Sequence, residues 1–117
     1  MAITGGYLFM ARMDVDPAHE AEFNDVYDTE HVPLLSTVPG VLSIARFKRR
    51  ELTMMLGGKL QRIELADEPA YTAIYELASP EVLVSEAWSE AVEQGRWPER
   101  VRPHTTNRRH VLLERAT

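Results

Sequence analysis

Phe23, Tyr27 and His31 follow one another at four-residue intervals, so a helix through them presents all three on one face. His31 is the side chain type best suited to moving protons near neutral pH, and the phenol of Tyr27 can donate to a developing oxyanion. Side by side at a helix end, the pair could serve enolisation, cyclisation or dehydration of a carbonyl compound. Asp28 and Glu30 share the same last turn, where a carboxylate meets the negative end of the helix dipole. Either acid could orient His31 and favour its protonated form, and the dipole would push the same way, which predicts a His31 more basic than free imidazole. The plainer alternative is a His31 that caps the last carbonyls while both acids point to water.

Other side chains could complete a site. Arg46 is the one cation placed with Leu42 and Ile44 on a strand face, from which it could reach a substrate oxygen or else pair with Glu76 or the acidic first helix. Tyr75 and Trp88, with Tyr71, could line an aromatic-friendly pocket or be ordinary core. Trp97, in Gly-Arg-Trp-Pro, is read as a packing anchor. The histidines at 19, 31, 104 and 110 have no ligand spacing along the chain, so no metal site is predicted. With no glycine-rich phosphate loop and no nucleophile elbow, nucleotides and acyl-enzyme chemistry have no anchor, and no cofactor is expected.

The elements that must position these residues read as follows. Tyr7 to Val15 alternates as a strand, with Tyr7, Phe9, Ala11 and Met13 on one side and Leu8 and Met10 on the other. Asp16 and Pro17 open a helix from about Pro17 to Glu30, which Pro33 should stop near His31, ahead of a corner at Val38-Pro39-Gly40. Further strands are predicted over 41–50, 70–77 and 108–115. Ser79-Pro80-Glu81 opens a second helix carrying Val84, Ala87, Trp88 and Ala91 toward Gly95. The order β-α-β-β-α-β predicts an α+β, ferredoxin-like antiparallel sheet with both helices on one face. The link from Glu51 to Pro69 is long, and its Met54-Met55-Leu56 and Gly57-Gly58 suit a mobile flap or an extra hairpin.

Composition bounds the function. The 117 residues, 44% hydrophobic and 26% charged, suit one domain, 1–117. Thirteen basic residues against eighteen acidic ones give a net charge of −5, which argues against nucleic acid and anionic membranes as partners. Without cysteine there are no disulfides, thiolate nucleophiles or cysteine-based metal sites. The N-terminal run lacks a basic leader region and reads as a strand, and the cytoplasm is the expected compartment. Because the strands carry apolar residues on both sides and two helices cover only one, a homodimer joined through its sheet faces is predicted.

Tyr27-Asp28-Thr29-Glu30-His31-Val32-Pro33-Leu34, then Val38-Pro39-Gly40 and the strand ending Arg46-Phe47, resemble the EthD-like branch of the dimeric α+β barrel superfamily. Tyr71 to Leu77 and Ser79-Pro80-Glu81-Val82-Leu83 are similar to the later half of the same family. The resemblance implies a dimeric α+β barrel whose motif histidine and tyrosine are His31 and Tyr27; Val26 stands where similar sequences often carry tryptophan. It implies a small cofactor-independent enzyme acting on a largely apolar carbonyl or an enolisable aromatic or polyketide-like metabolite in degradation or secondary metabolism. In that reading His31 is the acid/base group, Tyr27 a hydrogen-bond donor, and Phe23, Arg46, Tyr75 and Trp88 bind substrate. The alternative is an accessory dimer that sequesters a hydrophobic small molecule without chemistry, and a third reading is haem binding through His31.

Overall fold

The computed structural model describes residues 3–117; Met1 and Ala2, part of the N-terminal run read above, lie outside the described residues. Six strands form: β1 (Tyr7–Val15), β2 (Val41–Lys48), β3 (Leu52–Leu56), β4 (Lys59–Ile63), β5 (Tyr71–Leu77) and β6 (Thr105–Glu114). Four of them make one antiparallel sheet in the order β2-β5-β1-β6, and β3-β4 make a separate hairpin. The helical segments pack on one face, giving the α+β, ferredoxin-like arrangement that the element order predicts. The link between β2 and β5 resolves to the hairpin, turned by Gly57 and Gly58. No helix among the described residues is long and apolar enough to cross a membrane.

The sheet's two faces differ sharply. Along β5, Tyr71, Ala73, Tyr75 and Leu77 are buried against the helices, while Thr72, Ile74 and Glu76 alternate onto the other side. Cross-strand register puts Phe9 opposite Tyr75 and Leu112, so Leu112 shares the helix-side face. The uncovered face carries Leu8, Met10, Ile74, Val111 and Leu113, with Phe47 more than half exposed on the outer strand.

Both helices depart from the sequence reading. The first does not stop at His31: α1 (Glu20–Val26) runs through a π-helical turn, Tyr27–His31, into α2 (Val32–Ser36). The Val32 N–H donates to the Tyr27 carbonyl, five residues back, so the wider turn gives the ring of Pro33 room and removes the demand for the N–H it lacks. The second is split. Pro80–Val84 is a tight 3-10 turn, and Ser85, extended at ψ 154°, starts α3 (Glu86–Ala91) by accepting the Trp88 N–H at its hydroxyl. Val84, read at helical spacing with Ala87, Trp88 and Ala91, falls in the 3-10 turn instead and is exposed. A second π-helical turn, Trp97–Val101, closes when the Arg102 N–H donates to the Trp97 carbonyl.

β6 begins at Thr105, earlier than its apolar core of Val111 to Leu113 implies, because it carries a bulge. Arg12 pairs with Arg109 and Asp14 with Thr106, so two residues of β6 face Met13 alone. The extra residue is Asn107, at φ 51°, a left-handed conformation that asparagine tolerates better than most residues.

Candidate functional site

The first π-helical turn carries Tyr27 and His31 inward together. Their rings meet edge to face, 5.1 Å apart at 84°, and are 2% and 5% exposed. The second π-helical turn brings Trp97 over them: it stacks on His31 at 4.4 Å and 22°, and meets Tyr27 edge-on at 5.0 Å. A cavity of about 340 Å3 lies between these rings and the sheet. Phe9, Ala11 and Met13 of β1 and Tyr75 of β5 form its floor. Trp88 and Val92 close one side, and Arg102, Arg108 and His110 stand at its rim.

Four of the six residues singled out in the sequence, His31, Tyr27, Tyr75 and Trp88, thus share one cavity. Phe23 stands behind Tyr27 with its ring centroid 5.3 Å away, fully buried, and supports the wall without lining it. Arg46 is also outside. Its guanidinium lies 4.3 Å from the Tyr27 ring centroid, and its Nη1 and Nη2 donate to Asp28 Oδ1 at 2.7 Å and Asn24 Oδ1 at 2.8 Å. Of the two alternatives for Arg46, pairing with the first helix is the one seen. The cation steadies the Tyr27 ring from the far side.

The expectation of a basic His31 is overturned. Burial pushes its imidazole down to about 4, and the charges of Arg102 and Arg46 act the same way. Neither neighbouring acid reaches it. Asp28 is held by Arg46, and Glu30 accepts the Arg96 N–H at 2.8 Å and also the Arg96 Nε–H. Nor does His31 sit at a helix C-terminus, because the helix runs on through Ser36 and takes the dipole's negative end with it.

His31 is therefore uncharged at neutral pH. Its Nδ1 is sealed from solvent with no hydrogen-bond partner among the described residues, which leaves Nε2 to face a ligand. An orphaned N–H costs more than an orphaned lone pair, so the proton belongs on Nε2. Burial also raises the pKa of Tyr27, opposed by the neighbouring Tyr75 and by the Arg46 charge. Burial raises Tyr75 as well, so both phenols keep their protons at neutral pH. The cavity thus offers two neutral donors, His31 Nε2–H and the Tyr27 hydroxyl, in apolar surroundings where they act strongly on a developing oxyanion.

Sequence reasoning missed Trp97 as a wall and the rim formed by Arg102, Arg108 and His110. The rim signal was the alternation of Arg108, His110 and Leu112 on one strand face. The Trp97 position depends on contacts 66 residues apart in the chain, which spacing cannot show.

The fold also joins histidines that are distant in sequence. Asp16, His19 and His104 place possible ligand atoms within 4.8 Å of one another. The two imidazoles, however, stack face to face at 3.4 Å and 6°. An ion shared by both rings would lie well outside each ring plane, where the nitrogen lone pairs do not point. As folded, this cluster is a stacked pair that ties the start of the first helix to the entry of β6.

No protein-family profile and no curated sequence matches the chain. Solved structures do. A Bordetella bronchiseptica protein assigned to the antibiotic biosynthesis monooxygenases superposes with a TM-score of 0.65 at 14% identity, covering 97% of this chain and 100% of that one. The haem degrader MhuD of Mycobacterium tuberculosis, solved with two haems in its active site, gives 0.58 at 14% identity over 95% of this chain and 96% of that one. An EthD-family protein of Bacillus halodurans gives 0.57 at 9% identity over 93% and 98%. At these identities the likeness establishes the ferredoxin-like α+β fold.

Proposed function

We propose that the chain is a small enzyme without a resident cofactor that binds a largely apolar carbonyl or enolisable aromatic compound in the cavity between its helices and sheet. The observation that carries this is the pairing of an uncharged His31 with Tyr27, both aimed into an aromatic cavity. His31 Nε2–H and the Tyr27 hydroxyl would hold a substrate oxygen as it gains charge, stabilising the enolate left when solvent water entering at the rim takes the proton from the adjacent carbon. This shifts the weight from general acid/base chemistry toward neutral hydrogen-bond donation, because an imidazole titrating at about 4 is a weak base at pH 7. Proteins of the same fold named as antibiotic biosynthesis monooxygenases and as a haem degrader support a flat, largely apolar ligand.

In the same reading the uncovered sheet face, with Leu8, Met10, Ile74, Val111 and Leu113, packs on a second copy to make a homodimer. Ligation of haem iron by His31 fits poorly. A metal-bound histidine donates its other nitrogen to a fixed acceptor, and His31 Nδ1 has none among the described residues.

The test compares the wild type with His31→Gln against a panel of enolisable aromatic ketones and phenols in air, following tryptophan quenching for binding and chromatography for consumption. Turnover lost in His31→Gln with binding retained supports the enzyme. Binding without consumption in the wild type would instead identify an accessory ligand binder.

A further inference from the structure

The rim of the cavity carries two arginines, and only one of them has a counter-charge. Its lining contains Arg102 and Arg108 together with two imidazoles, His31 and His110, and no carboxylate. Arg102 is occupied: its Nη2 donates to Glu93 Oε1 at 2.9 Å and to the Val92 carbonyl at 3.2 Å. The exposed Arg108 guanidinium has neither an ion pair nor a hydrogen bond among the described residues, although the chain as a whole is acidic at −5.

The placement of Arg108 is built into the backbone. It follows the bulge residue Asn107, whose Nδ2 donates to Asp14 Oδ2 at 3.1 Å and to the Asp67 carbonyl at 2.9 Å. These bonds fix the twist of β6 where the strand delivers Arg108 and then His110 to the helix side. His110 lies flat on Phe9, with ring centroids 5.7 Å apart at 4°, and continues the aromatic floor out to the arginine. The charge of Arg108 is felt at both His110 and Tyr27, so it stands over the same space as the two neutral donors.

We infer that the natural ligand is an organic anion: a flat ring that lies among Phe9, Tyr75 and Trp88 and carries a carboxylate that pairs with the Arg108 guanidinium. An arginine fork matches a carboxylate bidentately, with two parallel N–H donors. This rests on the cavity being the ligand site, as proposed above, and adds to it the charge of the ligand.

The experiment uses 2-naphthoate and its uncharged isostere 2-naphthamide as probes, read by quenching of Trp88 and Trp97, with the full chain as wild type, Arg108→Gln and Arg108→Lys. The wild type should bind the carboxylate about tenfold more tightly than the amide, or better, as expected for a charge-assisted hydrogen bond. That preference should fall with added salt, vanish in Arg108→Gln and persist in part in Arg108→Lys. Amide binding should change far less than carboxylate binding across the three proteins, and matching far-ultraviolet circular dichroism shows that the variants are folded. Equal binding of both probes by the wild type, or a preference that survives in Arg108→Gln, would overturn the inference and leave the cavity reading standing. Failure of the wild type to bind either probe would overturn both.

Discussion

Glu30 holds Arg96 at two points, accepting its backbone N–H at 2.8 Å and its side-chain Nε–H. Because Glu30 precedes His31 and Arg96 precedes Trp97, this clamp sets the distance between two distant segments and fixes the indole on the imidazole, 4.4 Å from centroid to centroid. The acid beside the histidine thus acts through the residue that covers it, with no direct contact to the imidazole.

Loosening the clamp should free Trp97 without unfolding the sheet. Glu30→Gln turns an acceptor of two N–H groups into one acceptor and one donor, and should lower the near-ultraviolet circular dichroism of Trp97 and raise the His31 pKa as water enters. Gly95→Ala should act more harshly. Gly95 sits at φ 70°, and an added Cβ would lie 2.6 Å from Glu30 Oε1. Strain and contact together should cost about 1–3 kcal/mol in denaturant unfolding.

The depressed His31 value sets a pH dependence of stability. The folded imidazole titrates at about 4 and the unfolded one near 6.5, so within that window the unfolded chain binds more protons. Stability is full above pH 6.5 and falls as pH drops through the window. The loss should reach about 3 kcal/mol below pH 4, from about 1.4 kcal/mol per pH unit. His31→Gln should flatten this part of the curve, and proton NMR should find the wild-type His31 titrating below free imidazole. A value above it would restore a role for the flanking carboxylates.

Sedimentation at micromolar concentration should give about twice the 13.3 kDa chain mass. Leu8→Glu or Ile74→Glu, on the uncovered sheet face, should shift the protein to monomer. Leu112→Glu should leave the dimer intact, because Leu112 lies opposite Phe9 on the helix side. A wild type that sediments as a stable monomer would refute packing through the sheets.

Hydrogen exchange should separate the hairpin from the sheet. Residues Leu52–Leu56 are all exposed and pair only with Lys59–Ile63, so their amides should exchange far faster than those of Val111–Leu113. Equal protection would mean that a second chain covers the hairpin, whose Met55 and Leu60 are 60% and 71% exposed.

The sheet was legible because strict alternation over Tyr7 to Val15 and over Tyr71 to Leu77 leaves a strand only one register. The pairing of Tyr27 with His31 was legible for a similar reason, since four residues bring two side chains onto one face. What failed was inference from chain neighbours. Pro33 reads as a stop because an α-helix has no place for it, and nothing local announces the wider turn that does. Asp28 and Glu30 look like partners for His31, yet each is claimed by an arginine from another segment. Arg108 fell at the expected start of the last strand, so its inward turn depended on a bulge residue outside the predicted element.

The widened turn at Tyr27–His31 has a genetic reading as well. A π-helical turn is an α-helix with one residue inserted, and each residue advances a helix by about 100°. Deleting a single codon at Thr29 would let the helix close into regular form, with the Val32 N–H still reaching the Tyr27 carbonyl but now four residues back, so that His31 would follow Tyr27 by three residues instead of four. The edge-to-face pairing of Tyr27 with His31 therefore depends on one in-frame codon, while the register of the helix on either side of it does not.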